Sequence, residues 1–269
     1  YCSTMTYRHL AELARTHPLI LASGSPRRFD LLTETGVAFQ RIVPDLEEVR
    51  TDGEPPFDYA LRLARDKALM VGRGLRRDTF ALGCDTIVAL GDVILDKPTD
   101  RQVAHQTLRT LSGQEHVVCT ALAFVREEQV VVSGYDTTRV FFNEVTDRQI
   151  EEYIKTGEPM DKAGAYGIQG MGAFLVDRIE GNLDTVIGLP RNLLDSLARD
   201  ALEKSTTDSF DVVLLDIHLP DGNGLEALPY LTAGPGMPEV IIMTGYRYDD
   251  APGLALEYGA WDYIEKPLP

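Results

Sequence analysis

Cysteine is scarce. The 269 residues contain only Cys2, Cys84 and Cys119, with no C-x-x-C spacing. So odd and scattered a set excludes a disulfide framework and a cysteine zinc site, and a reducing cytoplasm is the expected compartment. Long apolar runs are missing too. No stretch reaches the roughly 20 residues needed to cross a bilayer, and Tyr1 to His17 is polar, without the apolar centre of a secretion signal. A start at Tyr1 rather than Met is what a fragment would show. Basic residues are few, 26 against 42 acidic, for a net charge of -16. A field of that sign repels a nucleic-acid backbone over most of the surface. A small anion is still admitted, because a few local cations and a divalent metal outweigh distant charges. Internal repeats are absent, and 44% apolar with 25% charged residues describes an ordinary folded chain. Its length allows one large domain or two smaller ones.

The order of elements points to an α/β fold. Pro18 to Ala22 is a short apolar run ending in Ser23-Gly24-Ser25, after which Pro26 opens a segment with Phe29, Leu31 and Leu32 at helical spacing. A hydroxyl able to cap and a proline in the first turn predict strand, turn, helix. Tyr59, Leu61, Leu63, Ala64, Lys67 and Ala68 predict a second helix after Pro55-Pro56. Phe80 to Leu90 reads as a strand, turned by Gly91-Asp92 into Val93-Ile94-Leu95. Val117 to Val125 and Val130 to Phe142 read as strands, Asp147 to Lys155 and Asn192 to Leu202 as helices, and Asp161 to Gly172 is rich in glycine. After Glu203 the composition changes. Ser205 to Pro269 carries 11 acidic and 2 basic residues, with strand-like runs at Val212 to Leu215, Val240 to Met243 and Trp261 to Ile264. Three parts are therefore expected: an N-terminal extension over 1–18, an α/β domain over 19–203 and a further unit over 204–269.

Chemistry gathers at a few places. Ser23-Gly24-Ser25-Pro26-Arg27-Arg28 sets hydroxyls, free N–H groups and two guanidinium groups at one helix N-terminus, which attracts phosphate. An ordinary capped helix with exposed arginines is the alternative. The segment lacks the lysine pattern of a Walker loop. Asp85 lies within the apolar run Leu82-Gly83-Cys84-Asp85-Thr86-Ile87-Val88. A carboxylate there is costly unless metal-bound or paired, and Lys97 is the nearby candidate for a structural ion pair. Glu47 and Glu48 read alone as a solvated loop. With Asp85, one of them could complete an oxygen site for Mg²⁺ or Mn²⁺, which takes one or two carboxylates together with substrate phosphates. His116 reads as a structural hydrogen-bonding residue. The run Glu158 to Gly170 combines a lysine, an amide and glycines that let backbone approach a ligand, or forms a plain surface turn.

Together these segments resemble the Maf family of nucleotide pyrophosphatases from about Leu19 to Leu202. The carriers are L-A-S-G-S-P-R-R, P-D-x-E-E, G-C-D-T-I-V, D-K-P, L-S-G-Q-x-H, G-E-P-M-D-K-A-G-A-Y-G-I-Q-G and V-I-G-L-P, in that order. The resemblance implies a Maf/ITPase-like mixed-sheet domain with a cleft, hydrolysis of a nucleoside triphosphate to monophosphate and pyrophosphate, a divalent metal cation (Mg²⁺ or Mn²⁺), and a homodimer. It implies that Asp85 is the catalytic carboxylate and Glu48 its metal-binding companion. Ser23, Ser25, Arg28, Lys97 and Lys162 would hold and neutralise phosphate. Arg27, Thr86 and Gln169 match the branch of the family acting on pyrimidine triphosphates, where the 7-methyl-GTP branch has Trp, Gln and Glu. Chemistry agrees, since a glutamine amide can donate to one uracil or thymine edge atom and accept from N3–H, whereas guanine favours a carboxylate. dTTP and UTP are the expected substrates. The alternatives are a 7-methyl-GTP pyrophosphatase, a non-catalytic nucleotide-binding regulator of septum formation, and a phospho-signalling protein. Two stretches depart from the family pattern, Gly181-Asn182-Leu183 and the Arg191 that ends G-L-P-R.

Asp208 to Pro269 resembles the later half of a response-regulator receiver, a partial flavodoxin-like fragment. Asp216 matches the phospho-acceptor, and Thr244 and Lys266 match its hydroxyl and amine partners. The acidic pair that would hold Mg²⁺ is missing, so Asp216 is expected to take little or no phosphate. The strand Val212 to Leu215 is expected to form an exposed apolar edge.

Overall fold

A computed structural model describes residues 7–205, 212–219, 222–223, 225, 228, 231, 239–244 and 259–265. The chain forms two compact units, Tyr1–Lys204 and Ser205–Pro269. Among the described residues no helix is long and apolar enough to cross a membrane.

The first unit opens with helix α1 (Arg8–Thr16), then β1 (Leu19–Ala22), α2 (Pro26–Thr33), β2 (Gln40–Ile42), α3 (Pro56–Gly72), β3 (Phe80–Leu90) and β4 (Val93–Ile94). It continues through α4 (Arg101–Leu111), β5 (Glu115–Arg126), β6 (Gln129–Phe142) and α5 (Asp147–Lys155). Three short 3-10 turns between Glu158 and Leu175 follow, then β7 (Val176–Glu180), α6 (Leu183–Ile187) and α7 (Arg191–Ser205). The seven strands form one mixed sheet in the order β2-β1-β3-β5-β6-β7, with β4 paired to β3. β1 runs parallel to both neighbours, while β3, β5, β6 and β7 are antiparallel in succession.

Strand alternation sorts the core onto two faces. Leu19, Leu21, Leu82, Leu122 and Phe124 pack with α1, α2 and α7, whereas Ile20, Ala22, Ala81, Ala121 and Ala123 pack with α3. The residues facing α3 are small, so the helix lies close. A Cβ on Gly83 would stand 2.0 Å from the Ala64 carbonyl oxygen and 2.8 Å from the Ala68 nitrogen. Only glycine allows that crossing.

Helix α1 was not expected of a polar start. Leu10 and Leu13, one turn apart, are fully buried in the core, and Asp195 of α7 takes the Leu10 N–H at 2.9 Å and bonds His9 Nδ1 at 2.9 Å. The described part of that segment, residues 7–18, thus contributes apolar packing. β2 escapes periodicity because all three of its residues are exposed.

In the second unit β8 (Val212–Asp216), β11 (Glu239–Thr244) and β12 (Asp262–Glu265) form a parallel sheet in the order β12-β11-β8, and β9 (His218–Leu219) pairs with β10 (Gly222–Asn223). Leu215, Leu228, Val240, Ile242 and Ala260 form its core. Among the described residues β8 pairs only with β11, and Val212 and Leu214 are exposed. Asp216 closes β8; Lys266 and the Thr244 side chain lie outside the described residues.

Candidate active site

β1 ends at Ala22, opposite Gly83, while β3 continues to Leu90. Beyond Gly83, among the described residues, that edge of β3 has no strand paired to it until β4 pairs antiparallel with Ala89 and Leu90. The chain turns away through Ser23-Gly24-Ser25 into α2, and a cleft of about 430 Å³ opens at the free edge, beyond the carboxyl end of β1. Open α/β sheets bind ligands at such places. Asp85, Glu48, Lys97, Ser23, Ser25, Arg27, Arg28, Thr86, Lys162 and Gln169 all line it.

Asp85 is 5% exposed. Its ion-pair partner is not Lys97, as expected from proximity in sequence, but Lys67 of α3: Lys67 Nζ donates to Asp85 Oδ1 at 2.5 Å. The same nitrogen lies 2.7 Å from Glu48 Oε1. The physical reason is the crossing at Gly83, which brings α3 onto the face of β3 that carries residue 85. Burial works to raise the Glu48 carboxyl, but the hydrogen bond and charge of Lys67, with Lys97 and Arg28 beyond, prevail and hold it below the usual range. Asp96 shifts upward, through its own burial first and then the negative charge of Glu48 and Asp85. Asp85 and Glu48 thus share one ammonium, and Asp96 stands within their field.

The donor set fits a hard cation. Asp85 and Glu48 present oxygens that already converge on a single positive charge. Among the described residues no three His, Cys, Asp or Glu side chains come together as a metal cage. That suits Mg²⁺ or Mn²⁺ completed by phosphate and water, and does not suit a self-sufficient zinc site.

At the tip of α2, Ser25 caps with the Arg28 N–H at a long 3.5 Å, and Ser23 Oγ accepts the Ser25 N–H at 3.2 Å. Arg28 turns inward. Its Nε donates to the Gly188 carbonyl at 3.0 Å, Nη1 to Ser23 Oγ at 3.3 Å and to the Cys84 carbonyl at 3.1 Å, and Nη2 to Thr86 Oγ1 at 2.8 Å. A guanidinium has five N–H donors, so a single Nη2 donor is left. Four of the five donors of Arg28 thus tie the free edge of β3 to α2 and to the end of α6. Gly188 has φ +119, and a Cβ there would lie 3.3 Å from Thr86 Oγ1.

The loop after α5 forms the opposite wall. Glu158 organises it, Oε1 accepting Tyr153 O–H at 2.9 Å and the Gly172 N–H at 3.2 Å, and Oε2 the Met171 N–H at 3.0 Å. Lys162 Nζ donates to the Glu158 carbonyl and to Asp161 Oδ1, each at 2.6 Å, leaving its third proton. Gln169 is exposed at the rim, and its side chain makes no hydrogen bond to a described residue. Behind the loop, His116 is buried with Nε2 2.8 Å from the Tyr166 hydroxyl and its ring edge-on to Phe142 and Tyr166. Burial pushes its imidazole down to about 4, so it is neutral near pH 7. This accords with the structural part expected for it.

Lys67 and Asp96 were not singled out from sequence. For Lys67 a signal existed: it sits on the apolar stripe of α3, four residues from Leu63 and Val71, where a lone cation requires a buried counter-charge. The two departures from the family pattern are internally satisfied. Asn182 caps α6 through the Asp184 N–H, and Arg191 grips Asp184 with two bonds, reaches Glu34 and lies over the Tyr7 ring.

A family model for Maf-like protein matches residues 18–201, and one for the response regulator receiver domain matches residues 195–269. A dTTP/UTP pyrophosphatase of Escherichia coli O6:K15:H31 is 48% identical over 172 residues, 64% of this chain and 87% of that protein. A dTTP/UTP pyrophosphatase of Vibrio parahaemolyticus is 45% identical over 188 residues, 68% of this chain and 97% of that protein. A crystal structure of a nucleoside-triphosphatase / dITP/XTP pyrophosphatase from Mycobacterium abscessus matches at 17% identity and a TM-score of 0.37, over 70% of this chain and 96% of that one.

Proposed function

Since the chain belongs to the Maf-like family, we propose that it is a nucleoside triphosphate pyrophosphatase that hydrolyses dTTP and UTP to the monophosphate and pyrophosphate. The observation that carries the reading is the convergence of Asp85 and Glu48 on Lys67 inside a cleft whose other walls bear Arg27, Lys97 and Lys162.

In this reading Asp85 orients the attacking water and receives its proton. Oδ1 is held by Lys67, while Oδ2 has no donor among the described residues. The water oxygen bonds to the α-phosphorus, the bond from that phosphorus to the bridging oxygen breaks, and pyrophosphate leaves with the electron pair. Lys97 and Lys162 oppose the charge that builds on the leaving group, and Lys67 prevents the two carboxylates from repelling the triphosphate. A divalent cation held by Glu48 and Asp85 would supply further neutralisation of the phosphates. Gln169, with a free donor and acceptor at the rim, reads the pyrimidine edge. Thr86 serves the base indirectly, because its hydroxyl is engaged by Arg28 and Thr120.

The test is pyrophosphate release from dTTP with Mg²⁺ or Mn²⁺, comparing the wild type with Asp85→Asn. The asparagine keeps the shape but cannot take the proton, so turnover should fall by about 10²-fold or more. Binding of dTTP without turnover in the wild type would remove the hydrolase reading. Faster release from 7-methyl-GTP than from dTTP or UTP would remove the base assignment.

A further inference from the structure

One row of hydroxyls behind the cleft has a single direction. The strand registers align Thr86 of β3 with Thr120 of β5, and Thr120 with Asp136 of β6. Thr120 Oγ1 donates to the Thr185 carbonyl at 2.7 Å. Its only proton is then used, so at the 2.9 Å contact between Thr86 Oγ1 and Thr120 Oγ1 the donor is Thr86. Thr86, with its proton directed away, presents a lone pair to Arg28 Nη2 at 2.8 Å. At the far end Thr185 Oγ1 donates to Asp136 Oδ2 at 2.5 Å, which pins Thr185 above the row. Thr120 and Thr185 are fully buried.

We propose that Asp136, Thr185 and Thr120, none of which lines the cleft, are positioning residues that orient the Thr86 hydroxyl and through it the Arg28 guanidinium. This deepens the pyrophosphatase reading, on which its effect on turnover rests. A hydroxyl accepts from a guanidinium only while its own proton points elsewhere. Thr120 provides that elsewhere because its own proton is taken by Thr185, and Asp136 holds Thr185 in place. With the relay broken, the Thr86 rotor is free and the shortest bond of Arg28 is no longer held in one direction. Its remaining Nη2 donor then no longer has a fixed direction.

The test compares Thr120→Val, which keeps the shape and removes the hydroxyl, with Thr120→Ser, which keeps the hydroxyl. Turnover of dTTP with Mg²⁺ is one readout. The other is the rate at which phenylglyoxal, an arginine-selective dicarbonyl, modifies Arg28, followed by peptide mass. Thr120→Val should lower kcat about tenfold with KM little changed and speed modification of Arg28 about threefold or more, while Thr120→Ser behaves like the wild type. If Thr120→Val does not fold, Asp136→Ala against Asp136→Asn asks the same question, since the amide oxygen of asparagine still accepts from Thr185. Equal losses in the valine and serine variants would mean a packing defect, and unchanged Arg28 reactivity in both broken variants would mean no relay; either overturns the proposal. A wild type that releases no pyrophosphate would remove the enzymatic reading alone, and the Arg28 reactivity would still decide the relay.

Discussion

Lys67 Nζ stands 2.5 Å from Asp85 Oδ1 across the interface of α3 and β3, both side chains buried. A carboxylate and an ammonium taken out of water together are tolerated only with close geometry, and removing one leaves the other uncompensated. Here a second carboxylate, Glu48, shares the cation. Two carboxylates therefore share one ammonium, an arrangement that stands ready for a further positive charge.

Lys67→Met follows from that imbalance. The thioether fills the same space without charge, leaving Asp85 and Glu48 facing each other, so urea unfolding without metal should show a loss of about 3 kcal/mol. Millimolar Mg²⁺ should then raise the melting temperature of Lys67→Met more than that of the wild type, since the ion replaces the missing ammonium. No Mg²⁺-dependent shift in Lys67→Met would argue against a cation site at Glu48 and Asp85, and equal shifts in the two proteins against the ion standing in for the ammonium.

Gly83→Ala should damage the same site through packing alone. Its Cβ would stand 2.0 Å from the Ala64 carbonyl oxygen, so α3 must move away and take Lys67 with it. Overpacking of this kind costs about 1–3 kcal/mol, and turnover should fall with the stability. Gly134→Ala is the control, because its Cβ would meet Leu193 and Leu197 at an ordinary 3.6 Å. Thermal melts and pyrophosphate release on both variants check the contrast.

The elements that carry the cleft were legible because their signals are local. Pro26 after a capping serine marks α2, and the apolar run interrupted by Asp85 marks both a strand and a site. What escaped depends on partners distant in the chain. α1 is polar in composition and is held by Leu10, Leu13 and Asp195, a residue 185 positions from Leu10. Proximity in sequence offers Lys97 as the candidate ion-pair partner of Asp85, whereas the sheet face selects Lys67. Arg28 reads as a ligand donor from its place at a helix tip, yet the acceptors that engage it come from Ser23, Cys84, Thr86 and Gly188, three of them outside its own segment. Periodicity assigns a face and does not identify what waits there.

His116 sets a pH dependence. Its folded value, about 4, lies below the ordinary 6.5, so between those values the unfolded chain binds more protons than the folded one. Stability from this group is therefore complete above pH 6.5 and declines as pH falls toward 4. His116→Gln keeps a hydrogen-bonding amide near Tyr166 and does not titrate. Urea unfolding at pH 7, 6, 5 and 4.5 should show a steeper fall for the wild type than for the variant, a difference on the order of 3 kcal/mol over the window. Glu48, with its lowered value, adds acid sensitivity of the same sign at lower pH in both proteins.

Gln169→Glu examines the base. The amide offers one donor and one acceptor, complementary to the carbonyl and N3–H of thymine or uracil. A carboxylate of nearly the same shape loses the donor and sets a negative charge against the base carbonyl. A polar mismatch in a discriminating site is penalised more heavily than a lost methylene, because a group is left without its partner. kcat/KM for dTTP and UTP should fall by roughly 10–100-fold, while 7-methyl-GTP, whose guanine edge presents adjacent donors, should lose less or gain. Since Gln169 is exposed at the rim and makes no bond to a described residue, the melting temperature should not change, which separates recognition from folding. A dTTP rate that survives the substitution would move the reading of the base away from Gln169 and toward Arg27, which also lines the cleft.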